Sequence, residues 1–167
     1  MNIPLFPAEL ATGTGSSAEE EAFFFGNTRV TFLASAFAGD GLCVIEHRMP
    51  YGESPPLHIH RNEDELFLLL EGRMRFRARD TTRILEAGQT FLVPEGTPHT
   101  FRVESPEGAR CLTVTSGGDF EAMVRAVGRP ATGPDLPVWS EPTAERVFTL
   151  GRACALHGID VIGAPLG

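Results

Sequence analysis

The chain has 167 residues, 42% of them hydrophobic, with a formal charge of -8 and a mean hydropathy of -0.04, which suits one domain with its own core and excludes a disordered or membrane profile. All 14 basic residues are arginines, so Schiff-base chemistry on lysine is excluded, and an acidic chain without a long basic run is not expected to bind nucleic acid. No apolar run reaches spanning length and no basic segment leads into an apolar one at the N-terminus, so no membrane association and a cytoplasmic location are expected.

Residues 1–22, with Pro4, Pro7 and the segment ATGTGSSAEEE, have the small, polar and acidic composition of an N-terminal arm. FFFGNTRVTFLAS, from Phe23 to Ser35, is aromatic and β-branched and is interrupted by Gly-Asn, which predicts strands. AGDG at 38–41 predicts a turn, and Leu42–Met49 predicts a strand with Cys43, Ile45, His47 and Met49 on one face. RMRFRAR alternates arginine with Met74, Phe76 and Ala78, the pattern of a strand with a solvated charged face. A turn at Asp80-Thr81-Thr82, then RILEAG, QTFLVPEG, PHTFRVE and ARCLTVTS continue a series of short, evenly spaced strands. The fold class is therefore all-β, a sandwich or barrel spanning 23–116.

The pattern changes after Gly117-Gly118. DFEAMVRAVG predicts a short helix with Asp119 as its N-cap, and TAERVFTLGRACALHG a second with Val147, Leu150, Gly151 and Cys154 on its packed face and Gly158 as its stop. Residues 117–167 thus read as a helical extension, with the tail IDVIGAPLG packing back on the body. His157, in the last turn, reads as a partner of the helix C-terminal carbonyls. Cys43, Cys111 and Cys154 are widely separated and form no CxxC pair, so small buried residues are expected rather than a disulfide framework or zinc knuckle.

The chemistry concentrates in GESPPLHIHRNEDELFLLLEG, from Gly52 to Gly72. On a strand His58 and His60 project to the same side, so two imidazoles meet one point. Glu63, Asp64 and Glu65 all follow within reach of a turn, and residue chemistry leaves the acidic ligand open among them. A second stretch, GQTFLVPEGTPHTFRV from Gly88 to Val103, offers His99 behind Pro94, Gly96 and Pro98. Three imidazoles and a carboxylate suit one divalent transition metal (Fe, Mn, Ni, Co, Cu or Zn) and suit Ca or Mg poorly.

Gly52, His58, His60, Glu65 and Gly72, with Gly88, Pro94, Gly96 and His99, resemble the two sequence motifs of the cupin superfamily; the second departs at its last position, where Val103 stands in place of asparagine. The resemblance covers about residues 42 to 115 and implies a jelly-roll barrel in which His58, His60, Glu65 and His99 bind the metal. Its spacing selects Glu65, leaving Glu63 and Asp64 as solvated turn residues or as partners that touch the ligands from outside. Parity places Phe67, Leu69, Met74, Phe76, Phe91, Phe101 and Val103 on the inward face, either lining a largely apolar cavity or filling the barrel. His47, Arg48 and Tyr51 are candidates for polar contacts at its mouth. The substrate-pocket set is His47, Tyr51, Phe67, Leu69, Phe76, Phe91 and Phe101.

PPLHIHRNEDELFLLLEG, with one barrel and C-terminal helices, most resembles the quercetin-dioxygenase-like cupins. That resemblance implies an oxygen-dependent enzyme acting on a small aromatic, hydroxylated or dicarbonyl ligand, with Glu65 accepting the substrate's proton. Two alternatives use the same centre: a metal-dependent isomerase or lyase, and a small-ligand-binding module without rapid chemistry. A homodimer is expected from the resemblance alone.

Overall fold

Aromatic and β-branched residues after position 21 fold as expected into a hairpin, β1 (Ala22–Phe25) and β2 (Thr28–Ala34), joined through Gly26, whose φ of +63° is easily adopted without a Cβ. The structure is a computed structural model, which describes residues 21–38 and 41–167. The expected arm therefore lies almost wholly outside the described residues, as do Gly39 and Asp40 of the expected turn. Strands β3 (Cys43–Met49), β4 (Pro56–His60), β5 (Glu65–Glu71), β6 (Arg73–Ala78), β7 (Thr81–Glu86), β8 (Thr90–Val93), β9 (His99–Val103) and β10 (Ala109–Thr115) follow. Thr81 and Thr82, expected in a turn, belong to β7: the reversal is made at Arg79, with φ of +52°, and Asp80, so both threonines reach the β6 ladder.

Besides a short 3-10 helix at Ala36–Ala38, the remaining elements are α1 (Asp119–Val127), the short strand β11 (Arg129–Pro130), α2 (Ala144–Leu156) and β12 (Ile159–Pro165). Among the described residues every strand pairing is antiparallel, in two sheets ordered β11-β1-β2-β3-β10-β5-β8 and β12-β4-β9-β6-β7. The all-β jelly-roll expectation holds, realised as two sheets that are not hydrogen-bonded into one closed barrel. The C-terminal segment is more than helical, because β11 extends the first sheet beside β1 and β12 covers the edge of β4. No helix among the described residues is long and apolar enough to cross a membrane.

Strand alternation builds the interior. On β3, Cys43, Ile45, His47 and Met49 are all buried, as the pattern predicts. Met49, Phe67, Leu69, Met74, Phe76, Leu85, Val93, Val103, Ala109 and Cys111 form one apolar cluster between the sheets. A second gathers residues of β2 and β3 with Phe120, Met123 and Val124 of α1, Ala153 and Cys154 of α2, and Ile159. The inward set drawn from parity lies in or against the first cluster, and Val103 sits there fully buried. All three cysteines are free and buried; burial pushes the Cys43 and Cys111 thiols up to about 12 and that of Cys154 to about 11, so they remain protonated near neutral pH.

Two helix expectations change. Asp119 does not cap α1. The backbone N–H groups of Asp119 and Phe120 donate instead to the Glu63 carboxylate, at 2.8 and 3.1 Å, while Asp119 accepts from Asn62. On α2, Thr143 caps the start and Gly158, φ +70°, follows the end, but the packed face is Leu150, Ala153 and Cys154, with Val147 56% exposed. The reason is tertiary: Ala153 and Cys154, in the second half of the helix, are the α2 residues buried in the cluster with α1 and the start of β12.

Candidate metal centre

His58 and His60 leave β4 on the same side, Glu65 opens β5, and His99 opens β9 directly opposite His58. The turn before β9 holds these strands together: Gly96, with φ of +69°, donates its N–H to the His60 carbonyl at 2.8 Å, and Thr97 N–H returns to Pro94. As a result one donor atom from each of His58, His60, Glu65 and His99 lies within 4.8 Å of the others. His60, Glu65 and His99 are buried, and His58 keeps partial solvent contact.

The hydrogen bonds set the imidazole tautomers. His58 Nδ1 faces the Pro56 carbonyl at 2.8 Å and His99 Nδ1 the Thr97 carbonyl at 3.0 Å. A carbonyl only accepts, so each Nδ1 carries the hydrogen and donates, leaving Nε2 for the interior. His60 Nδ1 donates to Glu63 Oε2 at 3.1 Å, which likewise turns its Nε2 inward. That buried Nε2 has no hydrogen-bond partner among the described residues and stands 3.6 Å from Glu65 Oε2. His99 Nε2 lies 2.9 Å from the same oxygen. A nitrogen lone pair and a carboxylate oxygen at that distance require a cation between them, either a proton or a metal ion. Three convergent Nε2 atoms and one carboxylate therefore form a donor set that fits a divalent transition metal.

The charge states of Glu65 and His58 suit ligation, while His60 is drawn toward its protonated form by Glu65 and Glu63 when no metal is bound. Burial alone would raise the Glu65 carboxyl, but the facing His60 and the hydrogen bond from His99 bring it down to about 2, so it is ionised near neutral pH. Burial and the neighbouring His99 push His58 down to about 3, keeping it neutral and able to coordinate. For His60, burial lowers the pKa, but Glu65 and the Glu63 hydrogen bond outweigh it and the net shift is upward.

The residues expected to contact substrate fall into three settings. Phe67, Leu69 and Phe76 are buried in the first apolar cluster, with Phe91 and Phe101 packed against it; Phe76 lies 4.9 Å from Phe67, 5.2 Å from Phe91 and 5.5 Å from Phe101 between ring centroids. Phe67 brings this ladder to His99, at 6.3 Å. Tyr51 is exposed, its ring under Arg102. His47 is buried and stacked on Phe120 at 5.9 Å, with its Nε2 unpartnered among the described residues. His157, half-buried at the end of α2, is not in the four-residue cluster; its backbone N–H bonds the Ala153 and Cys154 carbonyls.

Of two further contributors, sequence reasoning left Glu63 open as a solvated turn residue or a partner of the ligands, and missed Phe120. Glu63 is buried and links His60 to α1, whereas Asp64 is exposed and accepts from the Glu95 N–H. The signal for Glu63 was its place in the acidic turn directly after His60. Phe120 lies 5.9 Å from both His47 and His60, a placement no local pattern announces.

A family model for the cupin domain matches residues 45–115. A Bacillus subtilis protein named quercetin 2,3-dioxygenase is 27% identical over 141 residues, spanning 83% of this chain and 42% of that protein. An uncharacterized Bacillus subtilis protein is 41% identical over 46 residues, spanning 27% of this chain and 41% of that one. The chain thus spans less than half the length of these curated relatives. Among solved structures, a predicted oxalate decarboxylase from Thermotoga maritima superposes with a TM-score of 0.54 at 21% identity, over 59% of this chain and 94% of that one. A cupin-superfamily sugar phosphate isomerase from Silicibacter pomeroyi gives 0.52 at 19%, over 58% and 71%. At such identities these two show the fold alone.

Proposed function

We propose that the chain is a metal-dependent dioxygenase acting on a small hydroxylated aromatic or dicarbonyl substrate, a reading supported by the cupin-domain match over residues 45–115 and the 27% identity to a protein named quercetin 2,3-dioxygenase. The observation that carries this reading is the fixing of three Nδ1–H groups on acceptors, which turns three Nε2 atoms toward the ionised Glu65. His58, His60, Glu65 and His99 are the ligands in this reading. The metal, when bound, supplies Lewis acidity and an accessible redox couple at a water-poor centre.

The chain's own side chains do the rest. Glu65 Oε2 accepts the substrate hydroxyl proton, swinging partly free to do so, while His99 Nε2 remains beside it. Substrate approaches past His58, the ligand with solvent contact. Phe67, Phe91 and Phe101 offer aromatic edges to a flat ligand, and the unpartnered His47 Nε2 supplies a polar group in the interior. Leu69 and Phe76 back those rings from the core. Tyr51 lies at the outer mouth.

A panel of flavonols and simpler hydroxylated aromatics tests the reading, using protein reconstituted with each candidate metal and followed by oxygen consumption and product mass. Oxygen uptake matched to product, abolished under anaerobic conditions, is the expected result. Equal turnover without oxygen overturns the dioxygenase assignment and favours an isomerase or lyase. A tight ligand recovered unchanged after aerobic incubation assigns a binding module. A homodimer in the cytoplasm belongs to the same reading, and light scattering tests the dimer.

A further inference from the structure

Glu63 meets three donors, and they come from two directions. Its Oε2 accepts from His60 Nδ1 at 3.1 Å and from the Phe120 N–H at 3.1 Å; its Oε1 accepts from the Asp119 N–H at 2.8 Å. Asp119 and Phe120 open α1, where backbone N–H groups lack partners within the helix and the helix dipole favours a negative charge. Glu63 is 1% exposed, so water does not compete for these bonds. Across the imidazole from Glu63, the His60 Nε2 points into the four-donor cluster. The Phe120 side chain then returns to the same imidazole, with its ring 5.9 Å away. His58 and His99 differ in kind, since their Nδ1 groups donate to backbone carbonyls of their own strand entries.

We propose that Glu63 is a positioning residue that couples metal binding at His60 to the docking of α1. The inference rests on the reading that His58, His60, Glu65 and His99 hold a metal. A carboxylate accepting from Nδ1 raises the donor strength of Nε2 and fixes the ring's orientation, which raises metal affinity. Electron withdrawal by a metal at Nε2 makes the Nδ1–H a better donor to Glu63, whose two oxygens also hold the first turn of α1. Coupling of this kind is reciprocal: a metal that tightens the start of α1 is itself held more tightly by the docked helix. Glutamine at 63 keeps the size but removes the charge and puts an NH2 group in place of one oxygen, so either the Asp119 bond or the bonds from His60 and Phe120 are lost, and any bond that His60 keeps is to a neutral, weaker acceptor.

The test uses the full chain with zinc(II), a diamagnetic probe, in three measurements. Chelator competition is expected to show affinity about 10- to 100-fold lower in Glu63→Gln than in wild type. Proton–nitrogen NMR of the zinc-loaded protein is expected to place the wild-type His60 Nδ1 proton downfield, and to move it upfield in E63Q while the His58 and His99 resonances stay. Hydrogen exchange on wild type alone, with and without zinc, is expected to slow at the Asp119 and Phe120 amides; this arm needs no variant and survives if E63Q fails to fold. Exchange at those amides that is indifferent to zinc overturns the coupling, as does an E63Q protein with unchanged zinc affinity and an unmoved His60 resonance. A wild-type protein that binds no zinc or other divalent transition metal overturns the metal reading and this inference together, and so is told apart from a failure of Glu63 alone.

Discussion

His47 gives the sharpest stability prediction. Its imidazole is buried on β3 against Phe120, and burial pushes its pKa down from 6.5 to about 4, with the charges of Glu65 and Glu46 opposing the fall. A depressed histidine stays neutral in the folded chain while the unfolded chain takes up a proton, so stability is intact above pH 6.5 and is lost as the pH falls toward 4. Each pH unit inside that window costs about 1.4 kcal/mol, and lowering the pH from 7 to 5 therefore costs about 2 kcal/mol through this residue. Other groups titrate too: His58 adds to the loss, and His60, shifted upward, opposes it. His47→Leu isolates the term, because leucine fills a similar volume and the replaced Nε2 has no partner among the described residues. Urea unfolding of metal-free wild type and H47L at pH 7 and pH 5 is the assay. The stability difference between the two pH values is expected to shrink by about 2 kcal/mol in the variant. An unchanged difference would refute the claim that His47 is held neutral by burial.

Removing one ligand with His99→Ala is expected to weaken zinc binding by more than about 100-fold, beyond what loss of an outer partner costs, measured by chelator competition; unchanged affinity would exclude His99 from the site. Phe76→Ala opens a cavity among Phe67, Phe91 and Phe101 and is expected to cost about 3–5 kcal/mol, read by urea unfolding; a loss below about 1 kcal/mol would mean this ring ladder is loosely packed. Gly72 has φ of +88°, and a Cβ there would sit 2.5 Å from the Gly108 carbonyl oxygen, so Gly72→Ala is expected to destabilise by more than about 1 kcal/mol and to lower Tm by several degrees in calorimetry. A wild-type Tm would show that the β5–β6 turn relaxes freely.

The strands were legible because their signal is local. Period-two alternation carries the inward face of β3 and the apolar set from Phe67 to Val103, and each lands where parity put it. The four-donor cluster was legible for a related reason: His-x-His on one strand fixes two donors by geometry, and family spacing supplied Glu65 and His99. For Glu63 the sequence left two roles open, a solvated turn residue or a partner of the ligands, because it is α1, more than fifty residues later, that buries it and takes two of its hydrogen bonds. On α2, Leu150 and Cys154 pack as expected but Val147 does not, since helical periodicity names a stripe but not which half of the helix finds something to pack on.

Read alone, the sequence yields the β-rich class and the inward residues through side-chain parity along a strand, and the candidate ligands through His-x-His parity together with the resemblance to the cupin motifs. Packing of the whole chain is what makes the fold two sheets rather than one closed barrel, lays the C-terminal tail as a strand beside β4, and joins Glu63 and His60 to a helix. These depend on long-range pairing and on burial, and a buried donor takes whichever acceptor the packed chain brings within 3 Å, whatever its distance in sequence.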